Sequence, residues 1–136
     1  MKSVALRLAV FVCVLLFSEM GFSAEGKPVS YKSGDETVNG MIYSPAGKGP
    51  FPALIVIHEW WGLNDWVKGQ ASKLADEGYV ALAVDLYRGK VASDESMAHE
   101  LMRGLPEDRA KRDLKAAYAY LAAQPNVKKD RIGAIG

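Results

Sequence analysis

The sequence predicts an α/β fold with a mostly parallel sheet, in which an antiparallel hairpin comes first and crossover helices follow. Three short apolar runs carry this prediction: residues 53–58, 79–84 and 131–135. Runs of this length and composition are typical of strands buried on both faces. The segments between them place apolar residues at helical spacing, and alternation of strand and helix is the pattern of a parallel sheet.

The chain before the first apolar run is predicted to form the hairpin and a loop. Residues 28–33 and 36–43 are β-leaning, and Ser33-Gly34-Asp35 between them is a turn signal. Residues 44–52 contain three prolines and two glycines, which indicates a surface loop.

The first helix is expected to begin after Asn64 or Asp65 as the cap and to end at Gly78. Its buried face falls at helical spacing and comprises Val67, Ala71, Leu74 and Ala75. A short helix is expected over 93–103. Pro106 then occupies the favoured first position of a longer helix. The apolar face of that helix comprises Ala110, Leu114, Ala117 and Leu121.

Residues 1–23 are predicted to be a secretory signal peptide. Lys2 and Arg7 precede an apolar run from Leu8 to Phe17, and Gly21-Phe22-Ser23 fits a cleavage site. A transmembrane anchor is the competing interpretation, but the run is about half of the roughly 20 residues that a bilayer requires. The protein is therefore expected to be exported, to be periplasmic or secreted, and to have no stable membrane association after the signal is removed.

The remaining chain is formally neutral, which bears on its partners. The whole sequence has 17 Lys+Arg and 16 Asp+Glu, and the leader takes Lys2, Arg7 and Glu19, leaving 15 of each. A neutral chain without a basic stripe gives no reason to expect nucleic acid as a partner. The only cysteine, Cys13, lies in the leader. No disulfide is therefore expected in residues 24–136.

The cluster His58-Glu59-Trp60-Trp61-Gly62 is the strongest candidate for a functional site. It follows an apolar strand directly, and ligands of open α/β sheets bind at the carboxyl ends of strands. A nucleotide-binding fold is an alternative, since Ile132-Gly133-Ala134-Ile135-Gly136 resembles the start of a glycine-rich loop. The cluster argues against it, because two indoles and a carboxylate replace the glycines that cradle phosphate.

These segments, in this order and spacing, resemble the dienelactone hydrolases, a family with the α/β-hydrolase fold. The matching segments are Glu59–Asn64, Leu74–Tyr79, Val84–Tyr87, Asp113-Leu114-x-x-Ala117 and Arg131-Ile132-Gly133. The resemblance implies a partial α/β-hydrolase fold, truncated before the nucleophile elbow. In the family, the strand matching 131–135 runs into a Gly-x-Cys-x-Gly-Gly elbow, and Gly136 matches its first glycine. Residues 24–136 are thus expected to be the N-terminal portion of such a domain and to be inactive alone.

The resemblance also implies an activity: attack of a cysteine thiolate, beyond Gly136, on a small ester or lactone carbonyl. Whether the nucleophile is cysteine or serine stays open from the sequence. Glu59 matches the family carboxylate that controls ionisation of the cysteine. Burial at the strand end would raise its pKa and suit that role. The structural alternative for Glu59 is a cap or ion pair near the helix start.

The neighbouring residues receive roles in the same way. The Trp60 backbone N–H matches a donor of the oxyanion hole. Trp61 is expected to line the substrate pocket, with core packing as the alternative. The family arginine that holds a substrate carboxylate has no counterpart at residues 93–99. Arg88 and Arg103 are the candidate substitutes, and for each the alternative is a solvated surface arginine.

The two histidines are not expected to be catalytic. His58 is predicted to be a hydrogen-bonded structural residue. His99 lies on a predicted helix without a ligand pattern, so no metal and no cofactor is expected. A non-catalytic exported α/β module that binds a small ligand through the Trp60-Trp61 surface remains the alternative function.

Overall fold

A computed structural model describes residues 23–136, so the predicted leader lies outside the described residues except for Ser23. The described part contains five strands and three helices: β1 Lys27–Ser33, β2 Glu36–Tyr43, β3 Phe51–Ile57, α1 Asp65–Asp76, β4 Val80–Val84, α2 Glu95–Arg103, α3 Glu107–Ala122 and β5 Val127–Ile135. Every predicted element is present, but β3 starts two residues earlier than expected, inside the predicted loop over 44–52, and β5 starts four residues earlier. None of the helices in this part of the chain has the length and hydropathy needed to cross a bilayer.

The strands form one sheet in the order β1-β2-β4-β3-β5. β1 and β2 form the predicted antiparallel hairpin, and β2 also runs antiparallel to β4. β3 lies between β4 and β5 and is parallel to both. Four of the five strands therefore point the same way, while two of the four pairings are antiparallel, so the sheet is mixed. This confirms the predicted α/β fold with an N-terminal antiparallel hairpin.

The two faces of the sheet are covered by different helices. Every residue of β4 is buried, and its side chains alternate between the faces. Val80, Leu82 and Val84 pack with Ala117 and Leu121 of α3. Ala81 and Ala83 pack with the small residues of α1, such as Ala71 and Ala75. The alanines allow α1 to approach the sheet closely, whereas branched side chains fill the wider space under α3.

β5 differs from the expectation of a strand buried on both faces. Val127 is buried, but most of the strand is exposed, and Ile135 is 49% exposed. In the described part of the chain, β5 has β3 as its one neighbour in the sheet and α3 as the helix packed on it. Residues 131–135 are apolar, but in the described part of the chain only the face of β5 that packs against α3 is covered by a helix.

The structure shows which of the predicted helix caps are formed. Asn64 caps α1, because its Oδ1 accepts a hydrogen bond from the Val67 backbone N–H at 3.0 Å. Gly78 has φ +97° just after α1, as expected of a helix-ending glycine. Pro106 is the N-cap of α3 rather than its first helical residue, because its ψ of 134° is extended.

The buried face of α3 contains a residue that the apolar spacing did not predict. Asp113 is fully buried beside Ala117 and Leu121, whereas Ala110 and Leu114 are only partly buried. A buried carboxylate requires a charged or hydrogen-bonding partner. The partner of Asp113 is Arg88, which is described with the site below.

Candidate active site

The turn after β3 carries the predicted site. His58 is buried at the strand end, and Glu59 is exposed next to it. The Gly62 N–H donates to the Glu59 carbonyl at 3.1 Å and closes the turn. Gly62 has φ +91°, and a Cβ there would lie 2.6 Å from the Lys90 carbonyl oxygen. The turn therefore requires glycine both for its backbone conformation and for its close approach to the chain after β4.

Glu59 lies beside the ends of two parallel strands. It lines a groove of about 270 Å³ together with Ile135 and Gly136 at the end of β5 and with residues of α1. A Cβ on Gly136 would lie 2.9 Å from the Ile57 Cβ, so β3 and β5 converge closely at this edge. The α1 side of the groove combines the apolar side chains of Trp66, Val67 and Leu74 with the polar or charged ones of Gln70, Lys73 and Glu77.

The expected burial of Glu59 is not observed. In the described part of the chain this carboxylate is exposed, and no lysine or arginine forms an ion pair with it. The expectation that Glu59 is buried at the strand end is therefore wrong for this structure. The reason is that α1 and the end of β5 flank Glu59 without covering it.

Trp60 offers a free backbone donor and a packed side chain. Within residues 23–136, its backbone N–H has no hydrogen-bond acceptor. Its ring contacts the ring of Trp61, with centroids 5.2 Å apart, and the edge of His99 on α2 at 4.8 Å. The Trp60 indole thus packs between Trp61 and α2, and neither indole lines the groove that contains Glu59.

Arg88 faces the other side of the sheet. Its guanidinium forms an ion pair with Asp113 Oδ2 at 2.8 Å and a longer one with Glu36 at 3.6 Å. Ser33 Oγ donates to Asp113 Oδ1 at 2.6 Å, and Arg112 contacts both Ser33 and Glu36, which closes a ring of charged and polar groups. The structure therefore does not bring Arg88 to Glu59, and two carboxylates already engage its guanidinium.

This ring has clear electrostatic consequences. Burial alone would raise the pKa of Asp113, but Arg88 and the Ser33 hydroxyl outweigh it and hold the pKa below its ordinary value. The same contact with Asp113 raises the pKa of Arg88. The sequence carried one signal for this cluster, since Asp113, Ala117 and Leu121 are spaced four residues apart on one helix face. No feature of the sequence indicated that Arg88 would be the partner of Asp113.

The remaining candidates are placed as follows. His58 is hydrogen bonded through both ring nitrogens, to the Glu59 carbonyl and the Leu86 N–H, which confirms its predicted structural role. Arg103 is exposed at the end of α2. Across residues 23–136, no three His, Cys, Asp or Glu side chains converge as a metal site would require.

The model of the dienelactone hydrolase family matches residues 38–136, which is most of the chain. The chain belongs to the dienelactone hydrolase family. The match begins in β2 and includes every element that forms the groove and the turn after β3. Family membership therefore rests on the part of the molecule that holds the candidate site.

Individual relatives of this dienelactone hydrolase family member agree with the match. The carboxymethylenebutenolidase of Pseudomonas putida is 30% identical over 118 residues, covering 79% of this chain and 49% of the relative. Protein usf of Aquifex pyrophilus is 39% identical over 87 residues, covering 62% of this chain and 37% of the relative. A dienelactone hydrolase-like promiscuous phosphotriesterase from metagenomic libraries superposes with a TM-score of 0.72 at 35% identity, covering 84% of this chain and 49% of that structure. The chain spans less than half the length of each of these relatives.

Proposed function

We propose that this chain is the N-terminal part of a hydrolase that acts on a small ester or lactone carbonyl through a cysteine nucleophile. Family membership and the name of the Pseudomonas putida relative support this class of reaction. The observation that carries the proposal is the shared groove, because Glu59 and Gly136 both line it. A nucleophile that follows Gly136 closely would lie next to the Glu59 carboxylate.

The proposed reaction assigns one step to each group. Glu59 accepts the thiol proton, and the resulting thiolate attacks the carbonyl carbon. The Trp60 N–H donates to the oxygen that becomes an oxyanion. Collapse of the tetrahedral intermediate breaks the C–O bond, and the leaving alcohol oxygen takes the proton that Glu59 accepted. In a lactone this step opens the ring. Water then hydrolyses the thioester, with a histidine outside this chain as base.

The side chains that line the groove indicate which class of substrate it would accept. Trp66, Val67 and Leu74 present apolar surface, which favours a small substrate with an apolar body. Arg88 is bound to Asp113 and Glu36 on the other face. The groove itself is lined by one lysine, Lys73, beside two carboxylates, Glu59 and Glu77, and this balance of charge disfavours an acidic substrate. We therefore propose a broad ester or lactone substrate class rather than an acidic dienelactone.

The setting of the enzyme is part of the same proposal. The apolar leader supports export to the periplasm or beyond. The formal neutrality of residues 24–136 supports a small molecule rather than nucleic acid as the partner.

Ester turnover tests the proposed function. A protein that continues this chain through the sequence after Gly136, about 100 residues for a typical domain, is compared with the 136-residue chain on a small aryl ester and a small lactone. We expect turnover by the longer protein alone. Glu59→Gln should lower its kcat by about 10²-fold or more, the usual loss for a general base. Glu107→Gln on α3, remote from the groove, is the matched control and should stay within about twofold.

Two results would contradict the proposal. Equal turnover by the 136-residue chain would show that no nucleophile beyond Gly136 is needed. Saturable ligand binding by the longer protein without any turnover would instead support the non-catalytic binding module.

A further inference from the structure

The His58 ring is held in one tautomer by two backbone groups. Its Nε2 lies 3.2 Å from the Leu86 backbone nitrogen, and its Nδ1 lies 2.7 Å from the Glu59 carbonyl oxygen. A backbone N–H only donates and a carbonyl only accepts, so Nε2 must be the acceptor and Nδ1 must carry the proton. A neutral imidazole protonated at Nδ1 satisfies both bonds. The ring therefore joins the turn after β3 to the loop after β4.

The carbonyl that His58 contacts belongs to the same peptide unit as the proposed oxyanion donor. In a planar trans peptide, the Glu59 C=O and the Trp60 N–H point in opposite directions. Two donors fix the direction of that carbonyl, namely His58 Nδ1 and the Gly62 N–H. Fixing the carbonyl also fixes the Trp60 N–H, which has no acceptor of its own within residues 23–136. Hydrogen bonds to the carbonyl also polarise the peptide and strengthen its N–H as a donor.

The loop on the other side of His58 has its own anchors. The Asp85 carboxylate accepts hydrogen bonds from the Tyr87 and Gly89 backbone N–H groups. Arg88 has φ +55°, in the left-handed region, and its side chain is tied to Asp113. The loop is thus tied to α3 as well as to the end of β4.

A second contact joins this loop to the turn beyond Trp60. The Ala92 N–H donates to the Trp61 carbonyl at 2.9 Å. Gly62 lies against the Lys90 carbonyl, where a Cβ would clash. Residues on both sides of Trp60 are therefore hydrogen bonded to the loop after β4: His58 to Leu86, and Trp61 to Ala92.

We propose that His58 is a positioning residue, whose neutral imidazole holds the Glu59–Trp60 peptide in the orientation that aims the Trp60 N–H at the oxyanion. The proposal rests on the proposed function, because it assigns His58 a role in that reaction. Positioning acts on the transition state, so its loss should lower kcat and leave KM nearly unchanged.

Three substitutions in the longer protein separate the two bonds of the ring. His58→Asn places an amide nitrogen where Nδ1 lies and keeps the donor to the Glu59 carbonyl. His58→Gln places its amide where Nε2 lies and keeps only the link to Leu86, and His58→Ala keeps neither. We expect kcat to fall at least about 10-fold in the Gln and Ala variants, short of the ~10³-fold loss of an oxyanion donor, with KM within about threefold. The Asn variant should retain the most activity.

His99→Asn is the matched control, since His99 is the other histidine of the chain and packs against the Trp60 ring from α2. Its kcat should stay within about twofold. All rates are measured per folded protein, so that a loss of stability does not count as a loss of kcat. Unchanged kcat in the folded His58→Gln and His58→Ala variants would overturn the positioning role while the hydrolase proposal stands.

A measurement that needs neither activity nor a variant completes the test. In ¹⁵N NMR spectra of the longer protein, His58 should show a protonated Nδ1 and a bare Nε2, and the Leu86 amide should be protected from hydrogen exchange. The opposite tautomer, or a rapidly exchanging Leu86 amide, would show that His58 does not form these two hydrogen bonds and would overturn its positioning role. Absence of ester turnover by the unsubstituted protein would overturn the proposed function, and with it the positioning role of His58, even where the NMR result confirms the hydrogen bonds.

Discussion

Asp113→Ala is expected to be one of the most destabilising single changes on the α3 face. The substitution leaves the Arg88 guanidinium, whose side chain is only 24% exposed, without its near carboxylate. It also removes the acceptor of the Ser33 hydroxyl. Removing one partner of a buried ion pair costs about 3–5 kcal/mol. The partial exposure of Arg88 and the remaining contact with Glu36 favour the lower end, about 3 kcal/mol.

Urea unfolding followed by circular dichroism measures this loss. With a slope of roughly 1–3 kcal/mol per M, the midpoint should fall by roughly 1–3 M. Lys111→Ala is the control on the same helix, because it breaks only the exposed pair with Glu107 and should cost within about 0.5 kcal/mol. A cost below about 1 kcal/mol for Asp113→Ala would refute the reasoning that the buried ring stabilises the fold.

The pKa of Asp113 is lowered in the folded state, so its contribution to stability is complete above the ordinary value of 3.8 and is lost as the pH falls below it. The difference in unfolding free energy between the unsubstituted protein and Asp113→Asn should therefore shrink below about pH 4 in an acid titration, and a constant difference would contradict this. Gly62→Ala, which brings a Cβ within 2.6 Å of the Lys90 carbonyl, should destabilise by at least about 1–3 kcal/mol in thermal unfolding. Gly69→Ala inside α1, where a Cβ meets nothing within 4 Å, should instead stabilise by about 0.5–1 kcal/mol, and equal effects at the two glycines would count against the assigned turn. Asn64→Ala removes the cap of α1 and should cost about 1 kcal/mol by the same measurement, so a neutral result would show that the Val67 N–H finds another acceptor.

The fold was largely predictable because local sequence features, such as apolar runs and glycines at turns, mark most of its elements. The apolar runs at 53–58 and 79–84 are parallel neighbours in the sheet, and Gly34 and Gly78 have the positive φ angles of a turn and a helix end. The cover of β5 was not predictable, since composition does not say which neighbours pack on a strand. The position of Pro106 was missed by one residue, because its fixed φ suits an N-cap as well as a first helical turn.

The site was predictable in part for the same physical reason. Parallel strands end at the same edge of a sheet, so Glu59 after β3 and Gly136 after β5 had to lie near each other. The exposure of Glu59 depends on tertiary cover, which its neighbours in sequence do not determine. The engagement of Arg88 depends on Asp113, which is 25 residues away in sequence and was hidden among apolar helix positions.

The pH dependence of alkylation of the nucleophile tests the central claim most directly. The longer protein without residues 1–23, which removes Cys13, is treated with iodoacetamide across neutral pH, with and without Glu59→Gln, and the modified residue is identified by mass spectrometry. We expect a single reactive cysteine shortly after Gly136, with a rate profile that shifts along the pH axis when the Glu59 carboxylate is removed. Superimposable profiles for the two proteins, or a modified residue remote from Gly136, would contradict it.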